Sequence, residues 1–280
     1  MNSFSQLPPL KQVIETHGLL AKKSLGQHFL LDGRITDDIA RYAGDLDHCS
    51  VIEVGPGPGG LTRSLLKAGV KKLYVIEKDA RCLAIMQELK HVVGDRLEIL
   101  HADALEIDIV TIPAPRKIVA NLPYNVGTQM LLNWLDTVYR NPTAIESMTL
   151  MFQKEVAERI TATHGNKDYG RLSIISQWLC DVRTDMDLPP GAFVPPPKVS
   201  SQVVTLTPRE KPLVDVKKET LEKVVAAAFG QRRKMLRQAL KPLGCDVEKL
   251  LAAAGIEGTL RAEQVDLLGL CRLAQAYDNL

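Results

Sequence analysis

Four residues, Asn121-Leu122-Pro123-Tyr124, follow the apolar run Ile118-Val119-Ala120 with nothing between them. An amide, a main-chain carbonyl that the next residue's ring frees from strand pairing, and a phenol form a set suited to an exocyclic aromatic amine. The nitrogen of such an amine is a poor nucleophile because its lone pair is delocalised into the ring. The Asn121 side-chain oxygen and the Leu122 carbonyl, freed by Pro123, can accept both amine hydrogens and favour a pyramidal nitrogen that attacks. Once a methyl group has been transferred the proton becomes acidic and can leave to water, so no strong general base is required. Tyr124 offers a face on which a flipped-out base can stack. An Asn cap at a helix start would account for Asn121 but not for the whole tetrapeptide.

A second stacking platform is expected in FVPPPKV, residues 193–199, where prolines stiffen the loop and Phe193 can press on the base from the side opposite Tyr124. A plain proline-rich hairpin loop fits that composition equally well.

The glycine loop EVGPGPGG, residues 53–60, lies between a strand and a helix. Gly55, Gly57 and Gly60 satisfy the dinucleotide pattern, and Glu77 stands about 20 residues on, where a ribose-binding carboxylate belongs. This motif alone does not separate a nicotinamide cofactor from S-adenosylmethionine, and a tight turn with a surface Glu is the plainer alternative. The rim decides. Glu53, Glu77, Asp79, Asp103 and Asn121 stand at the ends of successive strands and are expected to face the ligand crevice of an open α/β sheet. So many carboxylates would repel a pyrophosphate and favour a sulfonium that also carries an α-amino group. Asp103, in HADAL, is placed to accept from the adenine amine of the cofactor, or else is a solvated Asp capping a turn.

The elements that must hold these residues follow from periodicity. SVIEVG, KLYVIEKD, LEILHADAL, RKIVANLP and SMTLMFQ read as buried strands, and the segments between them read as helices. Such apolar runs indicate a parallel sheet covered on both faces. Residues 182–208 instead read as two strands joined without a helix, an antiparallel hairpin. From 209 onward the chain is charged and rich in Ala and Leu, without strand patterning. The expected fold is α/β: a Rossmann-like sheet of the class I S-adenosylmethionine-dependent methyltransferase type, mostly parallel with a terminal antiparallel hairpin, plus a small all-helical C-terminal domain. The expected boundaries are an arm at 1–32, the methyltransferase domain at 33–208 and the helical domain at 209–280.

Composition sets the outer limits. With 280 residues, 45% of them hydrophobic, the chain can bury a large core and a small one. Its 35 basic and 33 acidic side chains nearly cancel, so affinity for a polyanion must come from local clustering. Cys49, Cys82, Cys180, Cys245 and Cys271 are scattered singly, without a CxxC pair or a histidine at metal-ligand spacing; free thiols in a reducing cytoplasm and no metal are expected. No segment has the length of a signal or membrane helix, so a soluble, cytoplasmic protein is expected.

Taken in order, KKSLGQHFL, VIEVGPGPGGLT, VIEKD, HADAL, NLPY, YGRLS, FVPPPKVSSQVV and FGQRRKMLRQAL resemble the small-subunit ribosomal RNA dimethyladenosine transferases, the KsgA/RsmA family, over nearly the whole chain. GQHFL and QRRKMLRQAL narrow the resemblance to that family, since glycine loops are common. The resemblance implies transfer of two methyl groups from S-adenosylmethionine to each of two adjacent adenines in the 3′-terminal hairpin loop of 16S rRNA, within the 30S ribosomal subunit, by a monomer. It also implies cofactor contacts at His28, Leu30, Gly55, Gly57, Glu77, Asp103 and Asn121. Many relatives have Asn where this chain has His28; a ring nitrogen can still hydrogen-bond there, and its protonation would add pH dependence.

The clustered charge lies in QRRKMLRQALK, residues 231–241, read as a helix that turns Met235, Leu236, Ala239 and Leu240 inward and projects Arg232, Arg233, Lys234 and Arg237. Beside a base-methylating site, phosphate binding is the stronger reading of this run, with Lys22 and Lys23 extending it; a solvated charged face is the alternative. Two rival functions remain. An oxidoreductase dependent on NAD has the glycine pattern and Glu77 in its favour and the hairpin and NLPY against it. A non-catalytic ribosome assembly or RNA-binding factor is opposed by intact Asn121 and Tyr124.

Overall fold

The computed structural model describes residues 7–19, 21 and 27–280. The chain forms two compact units, Met1–Ala157 with Arg183–Pro208, and Glu158–Val182 with Arg209–Leu280.

In the first unit, among the described residues, one seven-stranded sheet runs β4-β3-β2-β5-β6-β9-β7. Its strands are β2 (Ser50–Val54), β3 (Lys72–Glu77), β4 (Leu97–His101), β5 (Arg116–Asn121), β6 (Ser147–Gln153), β7 (Cys180–Leu188) and β9 (Ser201–Pro208). β2 to β6 pair in parallel, whereas β9 runs antiparallel to β6, with Met148 opposite Leu206 and Gln153 opposite Ser201. The sequence shows why. Every residue of β2 is buried, as a central strand with helices on both faces requires, while the Pro/Gly-rich stretch before β9 allows no crossover helix and β9 returns antiparallel.

Helices α2 (Gly33–Tyr42), α3 (Gly60–Lys67), α4 (Ala80–Val93) and α5 (Gly127–Arg140) connect or cover the strands. Asp32 and Asp79 cap α2 and α4 by accepting from the main-chain N–H groups of Arg34 and Arg81. The arm is part of this unit's core. Helix α1 (Leu10–Thr16) buries Val13, and the short β1 (Phe29–Leu30) pairs antiparallel with β8 (Phe193–Val194) and places both its side chains in the main hydrophobic cluster.

After α6 (Lys154–Thr161), the second unit is helical: α7 (Arg171–Leu179), α8 (Lys218–Gly230), α9 (Leu236–Ala239), α10 (Val247–Ala254) and α11 (Leu267–Asp278) bury among them Leu221, Val224, Leu250, Leu270 and Leu273. One grouping differs from the sequence expectation. Residues 158–182, which run through α7 into the first residues of β7, group with the C-terminal helices. The Trp178 indole donates to the Val214 carbonyl at 2.9 Å, the Arg209 N–H donates to the Leu179 carbonyl at 2.9 Å, and the Tyr169 ring packs edge-on against Phe229. Periodicity cannot reveal such a grouping, because these partners lie about 30 to 60 residues apart in the chain.

Candidate active site

The loop after β2 turns through three glycines in the left-handed region, Gly55, Gly57 and Gly59, with φ of +66°, +55° and +90°. Only glycine adopts such a run without strain. Gly60 is required for a different reason: a Cβ there would overlap the Leu30 carbonyl oxygen, so its absence lets the arm lie against the start of α3. Loop and arm, with the ends of β3, β4 and β5, line a cavity that also takes in Tyr124. His28, Leu30, Gly55, Gly57, Glu77, Asp103 and Asn121, the set expected to meet a cofactor, all line this cavity.

Glu77, at the end of β3, is 6% exposed. One of its oxygens accepts from the main-chain N–H groups of Lys78 at 2.8 Å and Asp79 at 2.7 Å, and the other accepts from Gly57 at 3.3 Å. Burial raises its pKa, and these donors work against the rise without cancelling it. The carboxylate is therefore held in one orientation by the backbone before any ligand arrives.

Glu53 is more extreme. It is 2% exposed, its Oε2 has no partner, and burial, with the nearby Glu77 adding to it, pushes its pKa up to about 8. Thr62 opposes that rise without cancelling it, and a buried carboxyl oxygen left without a partner on a cavity wall is costly unless something fills its place. The sequence reading counted Glu53 on the rim but gave it no separate task. The acid two residues before the first glycine of the loop was the available signal.

Asp103 also lines the cavity, and its carboxyl accepts from the Lys78 ammonium at 2.6 Å and the Leu105 N–H at 3.0 Å; the Lys78 contact holds its pKa below the usual carboxylate range. Asp79 departs from expectation. It does not line the cavity. Its carboxylate faces α4 and the arm, bound to the Arg81 guanidinium and to Gln27 Nε2, and the Arg81 contact lowers its pKa to about 2. The demands of capping a helix claim this side chain.

Elsewhere on the cavity wall the tetrapeptide is built by helix initiation. The N–H groups of Val126 and Gly127 both donate to the Pro123 carbonyl and so begin α5. Asn121 Nδ2 donates to the His28 carbonyl at 3.1 Å. Because a carbonyl can only accept, this bond fixes the amide's orientation and leaves Oδ1 as the atom available to the cavity. Leu122 buries its side chain, 2% exposed, with Gly127 giving it room. The Tyr124 hydroxyl hydrogen-bonds Ser201 Oγ, and burial raises the phenol's pKa. Against the Tyr124 ring lies that of His28, offset-stacked with centroids 5.2 Å apart and 29° between planes, while His28 Nδ1 bonds the Pro195 carbonyl at 2.8 Å.

Phe193 is the clearest correction. It is 2% exposed, sits opposite Leu30 in the β1–β8 pair, belongs to the hydrophobic core and does not line the cavity. Pairing with the arm turns it inward, so it offers no face to a base. The neighbouring Pro195 carbonyl instead bonds the His28 ring, which does line the cavity.

The basic run is also not one helix. α8 ends at Gly230, residues 231–234 form turns, Met235 makes an isolated bridge with Arg261, and only Leu236–Ala239 is helical. Leu236, Ala239 and Leu240 are buried as expected, but Met235 is 41% exposed. Arg232 is a structural cation: it bonds the Glu263 carboxylate at 3.1 Å and the carbonyls of Tyr169 and Lys167. Arg233, Lys234 and Arg237 are exposed. Lys22 and Lys23 lie outside the described residues.

Among the described residues, the ligand atoms of His48, Cys49 and Glu146 lie within 4.8 Å of one another, closer than the cysteine spacing suggested. The Lys117 ammonium stands 3.7 Å from Glu146 and donates to the carbonyls of Ala43 and Asp45, so a cation is already in place there. Burial raises the Cys49 thiol to about 11, which keeps it protonated at neutral pH.

Comparison with known proteins places this arrangement. The ribosomal RNA adenine dimethylase family model matches residues 18–279. The ribosomal RNA small subunit methyltransferase A of Rhodospirillum rubrum is 55% identical over 97% of this chain and 93% of its own length, and that of Jannaschia sp. strain CCS1 is 56% identical over 100% and 97%. Among solved structures, a dimethyladenosine transferase from Plasmodium falciparum superposes with a TM-score of 0.78 at 25% identity over 90% of this chain and 98% of its own. The 23S rRNA methyltransferase ErmE gives 0.67 at 27% identity over 89% and 99%. A match that runs the length of the chain and takes in both the carboxylate end and the Asn-Leu-Pro-Tyr end of the cavity makes this protein a member of the ribosomal RNA adenine dimethylase family.

Proposed function

We propose that this protein transfers methyl groups from S-adenosylmethionine to the N6 amines of two adjacent adenines in the 3′-terminal hairpin loop of 16S rRNA, acting on the 30S subunit as a cytoplasmic monomer. The observation that carries this reading is a single cavity with buried carboxyls at one end and an oriented amide oxygen beside a phenol at the other. The residues fit the cofactor: the unpaired Glu53 Oε2 matches its α-amino cation, and Glu77, already aimed by three backbone donors, matches a ribose diol. Asp103 accepts from the adenine amine while the Lys78 ammonium keeps it charged. The main chain at His28 and Leu30, with the Gly55–Gly57 turn, closes around the rest.

The cofactor supplies an electrophilic methyl group on a sulfonium. The protein supplies geometry. Asn121 Oδ1 and the Leu122 carbonyl accept the two amine hydrogens and return the nitrogen lone pair to the direction of attack, an interaction strongest in the transition state. Tyr124, fixed through Ser201, provides the stacking face. This chemistry requires no strong general base, and the proton departs to solvent after transfer. Exposed Arg233, Lys234 and Arg237 bind phosphates.

Undermethylated small subunits incubated with methyl-labelled cofactor test the proposal. Label mapped as N6,N6-dimethyladenine at two adjacent 3′-terminal positions is the expected result. Label confined to large-subunit RNA, or to another base, would overturn it.

A further inference from the structure

One face of the Tyr124 ring is covered by another residue that lines the same cavity. The His28 imidazole lies on it, anchored by Nδ1 to the Pro195 carbonyl, and a purine cannot take that face until the imidazole leaves. We propose that His28 is a displaceable cover for the base platform, exchanged for the target adenine as the nucleotide enters. The inference rests on Tyr124 being the platform, and it assigns the histidine side chain a task separate from the cofactor contacts made by its main chain.

The geometry says which ring moves. The Tyr124 hydroxyl is tied to Ser201, and its main chain belongs to the turn that begins α5. The His28 ring is half-buried and held by one side-chain hydrogen bond and one offset stack. Rotation of its side chain leaves the backbone in place, so the His28 carbonyl keeps orienting Asn121 Nδ2 and the acceptor oxygen is not disturbed. Adenine presents a larger π surface than imidazole, so exchange favours the base once RNA delivers it. The Pro195 carbonyl, released in the same movement, becomes an acceptor at the mouth of the site. An adenine that the RNA does not hold at the site must compete with a tethered ring, and the cover therefore favours substrates held by contacts elsewhere on the protein.

Three variants test this on the full-length protein with undermethylated small subunits: His28→Ala, Tyr124→Ala and the double substitution. Each is checked first for cofactor affinity by calorimetry and for thermal unfolding. His28→Ala removes the competing ring and keeps the main-chain carbonyl. Its KM for subunits at saturating cofactor is expected to fall about two- to tenfold, the equivalent of one aromatic pair removed. A merely structural histidine would not lower KM. In the Tyr124→Ala background the same substitution should have no effect on KM, because there is no face left to uncover. An unchanged or raised KM for His28→Ala at saturating cofactor, or an equal gain in the Tyr124→Ala background, would overturn the proposal. Tyr124→Ala alone leaving KM and kcat unchanged would remove the platform itself, a failure of the underlying reading that the single histidine variant distinguishes.

Discussion

The carboxylate end of the cavity and the basic segment after α8 are both clusters of charge that a linear reading marks, yet the structure treats them in opposite ways. Glu53, Glu77 and Asp103 sit where strands of a parallel sheet end, and the sheet fixes their positions whatever their neighbours do. Arg232, Arg233, Lys234 and Arg237 depend on a local conformation that distant residues decide. Function read from charge is most secure where regular structure dictates the position of the charge, and least secure where a helix must first be assumed.

The largest effect should come from the cavity's far end. Asn121→Ala removes an acceptor needed mainly in the transition state and is expected to lower turnover about 10²-fold or more with cofactor affinity kept. Next come the carboxylates. Glu77→Ala should weaken cofactor binding by about 1.5–3 kcal/mol, the range for hydrogen bonds to a charged group, as calorimetry would show.

Glu53 gives a pH signature. Its pKa of about 8 lies above the ordinary carboxylate value of about 4.3, so the ligand-free folded state binds a proton that the unfolded state has lost. The group's contribution to stability is then full below pH ~4.3 and declines as pH rises toward about 8. Cofactor affinity runs the other way. It should rise with pH up to about 8, as the carboxylate that receives the ammonium forms. Glu53→Gln should flatten both profiles, measured by thermal unfolding and by calorimetry across a pH series; an unchanged affinity profile would detach Glu53 from the cofactor.

The smallest effects separate the cations of the basic segment. Arg232→Gln should destabilise the fold by ~1 kcal/mol, since its hydrogen bonds to Tyr169 and Glu263 are partly solvated. Changing Arg233, Lys234 and Arg237 to Gln should leave the melting temperature nearly unchanged and reduce the log-log salt slope of subunit binding by roughly 0.7–0.9 for every phosphate no longer neutralised. Superimposable salt curves would make this segment a solvated surface.

These contrasts also explain how far the sequence could be read. The parallel strands, the antiparallel return of β9 and the cavity positions of Gly55, Gly57, Glu77, Asp103 and Asn121 were legible, because burial patterns and strand-end spacing are local and periodic, whereas His28 and Leu30 were reached only through the family resemblance. Phe193 was misplaced because its partner, Leu30, is more than 160 residues away in the chain. Asp79 was drawn off by capping α4, and the arm's part in the site, through the His28 ring and carbonyl, had no local signal beyond the motif that contains it.

The division of labour along the cavity is the central claim, and a cofactor titration of the single-turnover methylation rate tests it most directly. Glu77→Ala should approach the wild-type rate once cofactor is saturating, because only binding was weakened. Asn121→Ala should remain about 10²-fold slow at every cofactor concentration. If excess cofactor rescued Asn121→Ala, or if Glu77→Ala stayed equally slow at saturation, the two ends of the cavity would not have the separate roles assigned to them.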